Sequence, residues 1–133
     1  MIRLILRLAL IFFALSLVAL ILVRSVDGQH GDPTRGAALY YGGRLACTAC
    51  HGSGALSVPP LVGIASRVAA ERLSAPENSG ATIALYLAQS IIDPNRYLVS
   101  GYLGNNMPHY AVGGTFGLSW QDLNDLVAYL MAL

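Results

Sequence analysis

Both cysteines of the chain lie in one five-residue stretch, Cys47-Thr48-Ala49-Cys50-His51. Two residues separate the thiols, and a histidine follows the second thiol directly. This spacing is typical of covalent haem attachment, in which both thiols add across vinyl groups of the haem and the adjacent imidazole faces the iron. The stretch therefore predicts one haem c, attached through Cys47 and Cys50, with His51 as an axial ligand of the iron.

Three other uses of a C-x-x-C pair compete with haem attachment. A thioredoxin-like redox pair opens a helix after a β-strand, and no run of β-branched residues precedes Cys47. A structural zinc site needs two more ligands at finger-like spacing, and His30 and His109 lie far from the pair on either side. If the two cysteines formed only a structural disulfide, the histidine directly after Cys50 would be there by coincidence.

A haem iron has a second axial position, and four side chains are candidates for it: Met107, Met131, His30 and His109. Met131 belongs to an apolar helical pattern, where a methionine is usually core filler. His30 lies outside the main domain and would have to fold back. Met107 stands in a polar, glycine-rich loop before Pro108, and its soft sulfur suits haem iron. We therefore predict Met107 as the sixth ligand, with His109 as the main alternative.

The start of the chain contains much of the apolar excess that brings the hydrophobic content to 55%. Residues 2–23 are apolar except for Arg3, Arg7 and Ser16, and as a helix they would span about 33 Å, enough to cross a bilayer. The two arginines predict a cytoplasmic N-terminus and an exported remainder. A cleaved secretory signal is the alternative, but no convincing small-residue cleavage site follows.

The sequence therefore predicts three parts: an uncleaved transmembrane anchor over residues 1–24, a linker over residues 25–31 and one small domain over residues 32–133. The predicted location is the cytoplasmic membrane, crossed once, with the haem domain on the periplasmic or extracellular face. The membrane itself would then be a partner of the chain.

Charge excludes some classes of partner. Residues 24–133 carry six arginines against seven acidic residues, a formal net charge of −1, and the chain has no lysine. Nucleic acid is therefore not an expected partner, because no basic cluster is present. Nor is there a one-signed patch of the kind that steers a freely diffusing carrier to its partner.

Helical signals dominate the domain. Asp32-Pro33 predicts a helix that begins at Pro33, since aspartate caps free N–H groups and proline is tolerated at the first helical position. This helix would end at Gly42-Gly43. Alanine-rich or periodic apolar patterns predict further helices at residues 64–73 and 82–92. The predicted fold class is therefore all-α.

The end of the chain predicts a loop and then a last helix. Residues 95–116 show no helical or strand period, and a loop of this length in a small domain is unusual unless it has a function, such as covering a haem face. Ser119 as N-cap, with Asp122 three residues on, predicts the start of the last helix. Its predicted apolar stripe consists of Trp120, Leu123, Val127, Leu130 and Met131.

Taken in order, these features resemble the class I monohaem cytochromes c. The resemblance rests on Gly36 and Tyr40 in the first helix, Cys47-x-x-Cys50-His51, Pro59-x-Leu61-x-Gly63, Arg67, Leu85-Tyr86-Leu87, Met107-Pro108 and an aromatic residue in the last helix. It implies a small helical domain around one covalent haem, preceded here by the single N-terminal transmembrane helix.

The resemblance also implies roles for three residues. The carbonyl group of Pro59 would accept a hydrogen bond from His51 Nδ1 and fix the imidazole. Arg67 would pair with a haem propionate. Gly36 would let the first helix cross the last one closely, near Tyr129.

Histidine and methionine ligation leaves no open position on the iron, so the predicted function is one-electron transfer and not an enzymatic reaction on a small-molecule substrate. The stretch from Ser90 to Pro108 is similar to cytochrome c domains of haem–copper oxidases and other bacterial respiratory complexes. We therefore predict a membrane-anchored carrier, or a subunit of a respiratory or photosynthetic complex, with redox proteins as partners. The alternative is a haem-based ligand-binding or sensing protein in which Met107 is labile and His109 acts as a distal acid–base group.

Overall fold

The computed structural model of the chain describes residues 2–27, 30–42, 44–45, 47–52 and 57–133. The chain divides into two compact units, Met1–His30 and Gly31–Leu133. The first unit contains one helix, α1, over Ile2–Asp27. The second unit is helical, and its described residues add only an isolated bridge between Val112 and Leu118.

Helix α1 corrects one prediction from the sequence. Crossing a bilayer requires about 20 consecutive, predominantly apolar residues, and within the described ranges no helix is both long enough and apolar enough to do so. The predicted transmembrane helix over residues 1–24 and the predicted single-pass location in the cytoplasmic membrane are therefore wrong. Part of the predicted linker, Gly28 and Gln29, lies outside the described residues.

The second unit begins with helix α2, Pro33–Tyr41, whose start confirms the prediction. The Asp32 carboxylate accepts hydrogen bonds from the backbone N–H groups of Thr34, at 2.8 Å, and Arg35, at 3.4 Å. These bonds satisfy donors that the first helical turn leaves unpaired. Gly42 follows as the C-cap; Gly43, the other residue of the predicted stop signal, lies outside the described residues.

Five short elements follow. Helix α3 covers Cys47–His51, and helix α4 covers Ile64–Arg67. A π-helical turn over Val68–Arg72 continues α4, so the predicted helix at residues 64–73 exists but changes its hydrogen-bonding pattern midway. A 3₁₀ turn over Pro76–Asn78 precedes helix α5, Ile83–Ile92, which confirms the prediction for residues 82–92 with Thr82 as N-cap.

Helix α6, Trp120–Ala132, closes the chain. Ser119 and Asp122 form the predicted capping box, in which each side chain accepts a hydrogen bond from the other residue's backbone N–H. The predicted apolar stripe is wrong at its two ends, because Trp120 is 65% exposed and Met131 is 43% exposed. The buried apolar residues of α6 are Leu123, Leu126, Val127 and Leu130, which share one side of a 3.6-residue helix.

Helices α2 and α6 cross with their backbones in contact. A Cβ atom added to Gly36 would lie 2.0 Å from the carbonyl oxygen of Asp125 and 2.7 Å from Tyr129 Cβ. This confirms the expectation that Gly36 permits a close crossing near Tyr129. Gly31 has the same role one turn away, since its added Cβ would lie 2.0 Å from the carbonyl oxygen of Asn124.

The core of the second unit is formed by all of these helices and by the loop after α5. Its buried apolar residues include Tyr40 from α2, Ile64 from α4, Val68 from the π-helical turn, Tyr86, Leu87 and Ile91 from α5, Tyr110 and Leu118 from the loop, and Leu123, Leu126, Val127 and Leu130 from α6. Helix α3 and residues 93–119 therefore pack around a helical frame made by α2, α5 and α6.

Candidate haem-binding site

The paired cysteines lie on helix α3. Cys47 is half-buried and packs against the core, whereas Cys50 is exposed, and both are free thiols. Burial raises the pKa of the Cys47 thiol above its ordinary value. Within the described part of the chain, no three His, Cys, Asp or Glu side chains cluster so as to hold a metal ion.

His51, at the end of α3, is oriented by a backbone carbonyl. Its Nδ1 atom lies 3.0 Å from the carbonyl oxygen of Pro59. Because a carbonyl oxygen only accepts hydrogen bonds, Nδ1 carries the proton, and Nε2 retains its lone pair for a metal. Burial also lowers the pKa of the imidazole, more than the hydrogen bond to Pro59 raises it. The net lowering of the pKa favours the neutral form of the imidazole, which is the form that ligates metals.

A cavity of about 150 Å³ opens beside His51. Most of its lining is apolar and comes from every helix of the second unit, including Tyr40, Leu45, Cys47, Pro59, Leu61, Ile64, Leu87, Ile91, Leu98, Met107, Tyr110, Leu126 and Leu130. Native interiors contain few voids larger than a water molecule, and apolar cavities with a few polar groups are characteristic of cofactor sites. The residues present therefore fit a large, flat, mainly apolar group such as haem.

The two main candidates for the sixth ligand have different surroundings in the structure. Met107 is half-buried, packs against the core and lines the cavity together with His51. The side chain of His109 is 56% exposed and is absent from the cavity lining. Its Nε2 atom lies 3.3 Å from Asn95 Nδ2, and its Nδ1 atom lies 3.9 Å from Asp93 Oδ1. Met131 is an exposed residue of α6, and His30 belongs to the first unit.

Two asparagines brace the loop that carries Met107. The Asn95 Oδ1 atom accepts a hydrogen bond of 2.8 Å from the backbone N–H of Asn105, and Asn95 Nδ2 donates one of 3.0 Å to Asn105 Oδ1. Asn105 has a positive φ of 63°, a conformation that asparagine tolerates better than most residues. This pair was not predicted from the sequence, since nine residues of irregular loop lie between its members.

Arg67 does not line the cavity. Its guanidinium group donates one hydrogen bond of 2.7 Å to the carbonyl oxygen of Val62 and another to that of Pro60. These carbonyls follow Pro59, so Arg67 braces the segment that orients His51. The expected pairing of Arg67 with a haem propionate stays a prediction, and the observed contacts give this side chain a different use.

Arg72 lines the cavity, and it was not predicted from the sequence as a site residue. It is buried, 6% exposed, at the end of the π-helical turn. Arg72 follows the buried residues Ile64 and Val68 at four-residue intervals, and this spacing is the signal in the sequence that could have indicated its burial.

A helical domain that places a C-x-x-C-H helix and a methionine loop around one apolar cavity defines a class, the proteins with covalently attached haem. The family described as cytochrome c matches residues 33–133, most of the chain, and the chain belongs to the cytochrome c family. Searches of curated proteins and of solved structures find no match. Membership in this family implies covalently bound haem c, haem-based electron transfer and redox protein partners.

Proposed function

We propose that this chain transfers single electrons between redox proteins, as a subunit or carrier of a respiratory or photosynthetic electron-transfer complex, through one haem c attached at Cys47 and Cys50. The observation that carries the proposal is that His51 and Met107 line the same apolar cavity while His109 lies outside it. A haem iron ligated by histidine and methionine exchanges electrons without offering a coordination position to a substrate.

On the histidine side, the chain supplies an oriented ligand. Pro59 accepts the Nδ1 hydrogen bond of His51, and Arg67 binds the next carbonyls along the chain. Tyr40 adds a hydrogen bond of 3.2 Å from its hydroxyl group to the carbonyl oxygen of His51. An axial ligand supported in this way keeps its position when the charge of the iron changes, which favours rapid electron exchange.

On the methionine side, the chain supplies a soft ligand and a dry environment. Met107 offers a thioether sulfur, which favours the ferrous state and raises the reduction potential. The Asn95–Asn105 pair closes the loop around it. The apolar lining contributed by α5 and α6 lowers the polarity around the site, which acts on the potential in the same direction.

The cavity also reaches the surface, as contact with a redox partner requires. Leu98 and Leu103 line the cavity, and both side chains are exposed. Cys50, which directly precedes His51 in the haem-attachment motif, is exposed as well. An apolar rim of this kind lets another protein approach the edge of the cofactor closely. Redox proteins are therefore the partners we propose, in place of a small-molecule substrate.

The test is to express the full chain in a host that attaches haem c, and to record its spectra and its redox titration. We expect covalently bound haem, a low-spin spectrum of the reduced protein and a single one-electron transition. The double variant C47A/C50A should contain no covalent haem, whereas Ala49→Ser, a change at an exposed position between the two thiols, should retain it. Absence of covalent haem from the native chain, or immediate binding of carbon monoxide to its reduced form, would overturn the proposal.

A further inference from the structure

Arg72 is a buried cation without a buried counter-charge. It is 6% exposed, and its Nε atom, which is shielded from solvent, has no hydrogen-bond partner. Its Nη1 atom donates to the hydroxyl oxygen of Tyr86 at 3.5 Å, a long and weak contact. A guanidinium group has five N–H donors and cannot lose its charge in a protein, so most of its hydrogen-bonding capacity is unused.

No carboxylate of the described residues pairs with Arg72. The ion pairs of this part of the chain involve Arg35, Arg44 and His109. The ring of Tyr86 lies under the guanidinium group, 5.8 Å from its central carbon, and offers a modest cation–π attraction. A buried charge supported only in this way is costly, because it has lost its hydration without gaining a charged partner.

The backbone around Arg72 is nevertheless firmly held. The buried side chain of Asn78 donates a hydrogen bond of 2.8 Å to the carbonyl oxygen of Arg72, and the N–H of Ala75 donates to the same oxygen at 3.2 Å. A long, charged side chain fixed at its base cannot easily turn out to solvent. The fold therefore fixes the position of Arg72 at the cavity.

The cavity lining explains what partner Arg72 needs. Among the described residues that line the cavity, Arg72 is the only arginine, and none is aspartate or glutamate. The missing negative charge must therefore be part of the bound group. We propose that Arg72, and not Arg67, is the residue that pairs with a carboxylate of the haem, and that it keeps this carboxylate ionised inside the domain.

This inference rests on the proposed function, since it assigns a residue to the same haem. Arg67 is the natural rival and also the natural control. The Nε atom of Arg67 is likewise shielded and without a hydrogen-bond partner. Its two Nη atoms, however, already donate to the carbonyl oxygens of Val62 and Pro60, and Arg67 does not line the cavity. The two arginines are five residues apart, yet only one of them faces the cofactor site.

Replacing Arg72 by glutamine removes the charge and retains a polar side chain. The unpaired carboxylate would then be a buried anion, which takes up a proton more readily. An anion near the iron opposes reduction, so the variant's potential should fall as the pH rises and the carboxylate ionises. The limiting slope for one proton per electron is about 59 mV per pH unit, which corresponds to a tenfold change in the reduction equilibrium.

Other groups at the cavity do not confuse this measurement. The tyrosines that line it are Tyr40, Tyr86, Tyr97, Tyr102 and Tyr110, and burial raises the pKa of Tyr40 and of Tyr110 above the ordinary value. In the proposed holoprotein, the Cys47 thiol is bonded to the haem and His51 is bound to the iron. Glu71, the chain neighbour of Arg72, is exposed and screened by solvent.

The experiment is a redox titration of the haem-loaded full chain between about pH 5 and 8, for the native protein, Arg72→Gln, Arg67→Gln and Arg72→Lys. We expect a nearly flat pH profile for the native chain. The profile of Arg67→Gln should also be flat, at an absolute potential shifted by the loosened segment that orients His51. The potential of Arg72→Gln should fall with rising pH, by at most a tenfold change in equilibrium per pH unit. Arg72→Lys keeps the charge and should restore most of the flat profile.

Three results would overturn the inference: a steep slope in the native protein, a flat profile in Arg72→Gln, or a new slope in Arg67→Gln instead. If Arg72→Gln fails to fold, the native profile and that of Arg67→Gln still test the inference, since a steep native slope or a new slope in Arg67→Gln would overturn it. A chain that takes up no covalent haem would refute the proposed function as well, whereas a normal one-electron couple with an unchanged Arg72→Gln profile would refute this inference alone.

Discussion

The Nδ1 atom of His51 and the carbonyl oxygen of Pro59 lie 3.0 Å apart. The bond joins the end of α3 to a segment that has no regular structure of its own before α4 begins. Arg67, the last residue of α4, binds the carbonyl oxygens of Pro60 and Val62 in that segment. The orientation of the histidine therefore depends on a chain of contacts that ends at Arg67.

Arg67→Gln should loosen this segment. Because two charge-assisted hydrogen bonds to partly solvated carbonyls are lost, we expect the free energy of unfolding to fall by about 2 kcal/mol. Arg96→Gln is the matched control, since Arg96 is exposed and the structure gives its side chain no hydrogen bond or ion pair; its effect should stay within about 0.5 kcal/mol. Denaturant unfolding of the haem-loaded chain measures both, and equal values would contradict the bracing role.

Met107→Ala should open the sixth position of the iron. The variant is expected to lose the weak red absorption band of sulfur-to-iron charge transfer and to bind carbon monoxide in the reduced state, because alanine offers no ligand atom. Met131→Ala removes an exposed methionine of α6 and should leave the band intact, as should His109→Ala. Persistence of the band in Met107→Ala, or its loss in His109→Ala, would assign the ligand elsewhere.

Local signals in the sequence were sufficient for much of this domain. Asp32 before Pro33 and the capping box of Ser119 and Asp122 each predicted a helix start that the structure confirms. Such signals are reliable because the cap and the donors it satisfies lie within one turn of each other. The C-x-x-C-H stretch is local in the same sense, and the family match agrees with it.

Features that depend on distant packing were not predicted. The π-helical turn after Arg67 carries a hydrogen bond of 3.1 Å from the N–H of Leu73 to the carbonyl oxygen of Val68, five residues back. A pattern of 3.6 residues per turn does not predict this change. Four-residue spacing from Ile64 and Val68 could have indicated that Arg72 is buried, but it does not show which of Arg67 and Arg72 lines the cavity. The exposure of Trp120 likewise depends on which side of α6 the other helices cover.

Gly36→Ala should strongly destabilise the domain. The added Cβ would lie 2.0 Å from the carbonyl oxygen of Asp125, and a backbone atom of a packed helix cannot move aside easily. We expect a loss of about 3 kcal/mol, the upper part of the range for overpacked sites. Ala38→Val enlarges an exposed position of the same helix and should cost about 0.7 kcal/mol or less, through helix propensity. Similar losses in thermal or denaturant unfolding would contradict the close crossing.

The side chain of Asp125, on α6, contacts the residues at the start of α2. Its buried carboxylate accepts a hydrogen bond of 2.7 Å from the backbone N–H of Asp32 and one of 2.8 Å from Gln121 Nε2, and it pairs with Arg35 at 2.8 Å. Burial alone would raise the pKa of this carboxyl group. The hydrogen bonds from Asp32 and Gln121 and the charge of Arg35 outweigh burial, so its pKa is lowered.

Asp125→Asn should therefore lower the free energy of unfolding by about 2–3 kcal/mol at neutral pH, less than for a fully buried ion pair because the Arg35 side chain is 57% exposed. A carboxylate with a lowered pKa stabilises the folded state above the unfolded value of about 4 and loses that effect as the pH falls through its folded pKa. The difference between the native chain and the variant should consequently shrink below about pH 4. Glu71→Gln, an exposed change, should show little effect at any pH. Denaturant unfolding at neutral and acidic pH gives both values, and a difference that persists unchanged in acid would show that the loss at Asp125 comes from packing and not from charge.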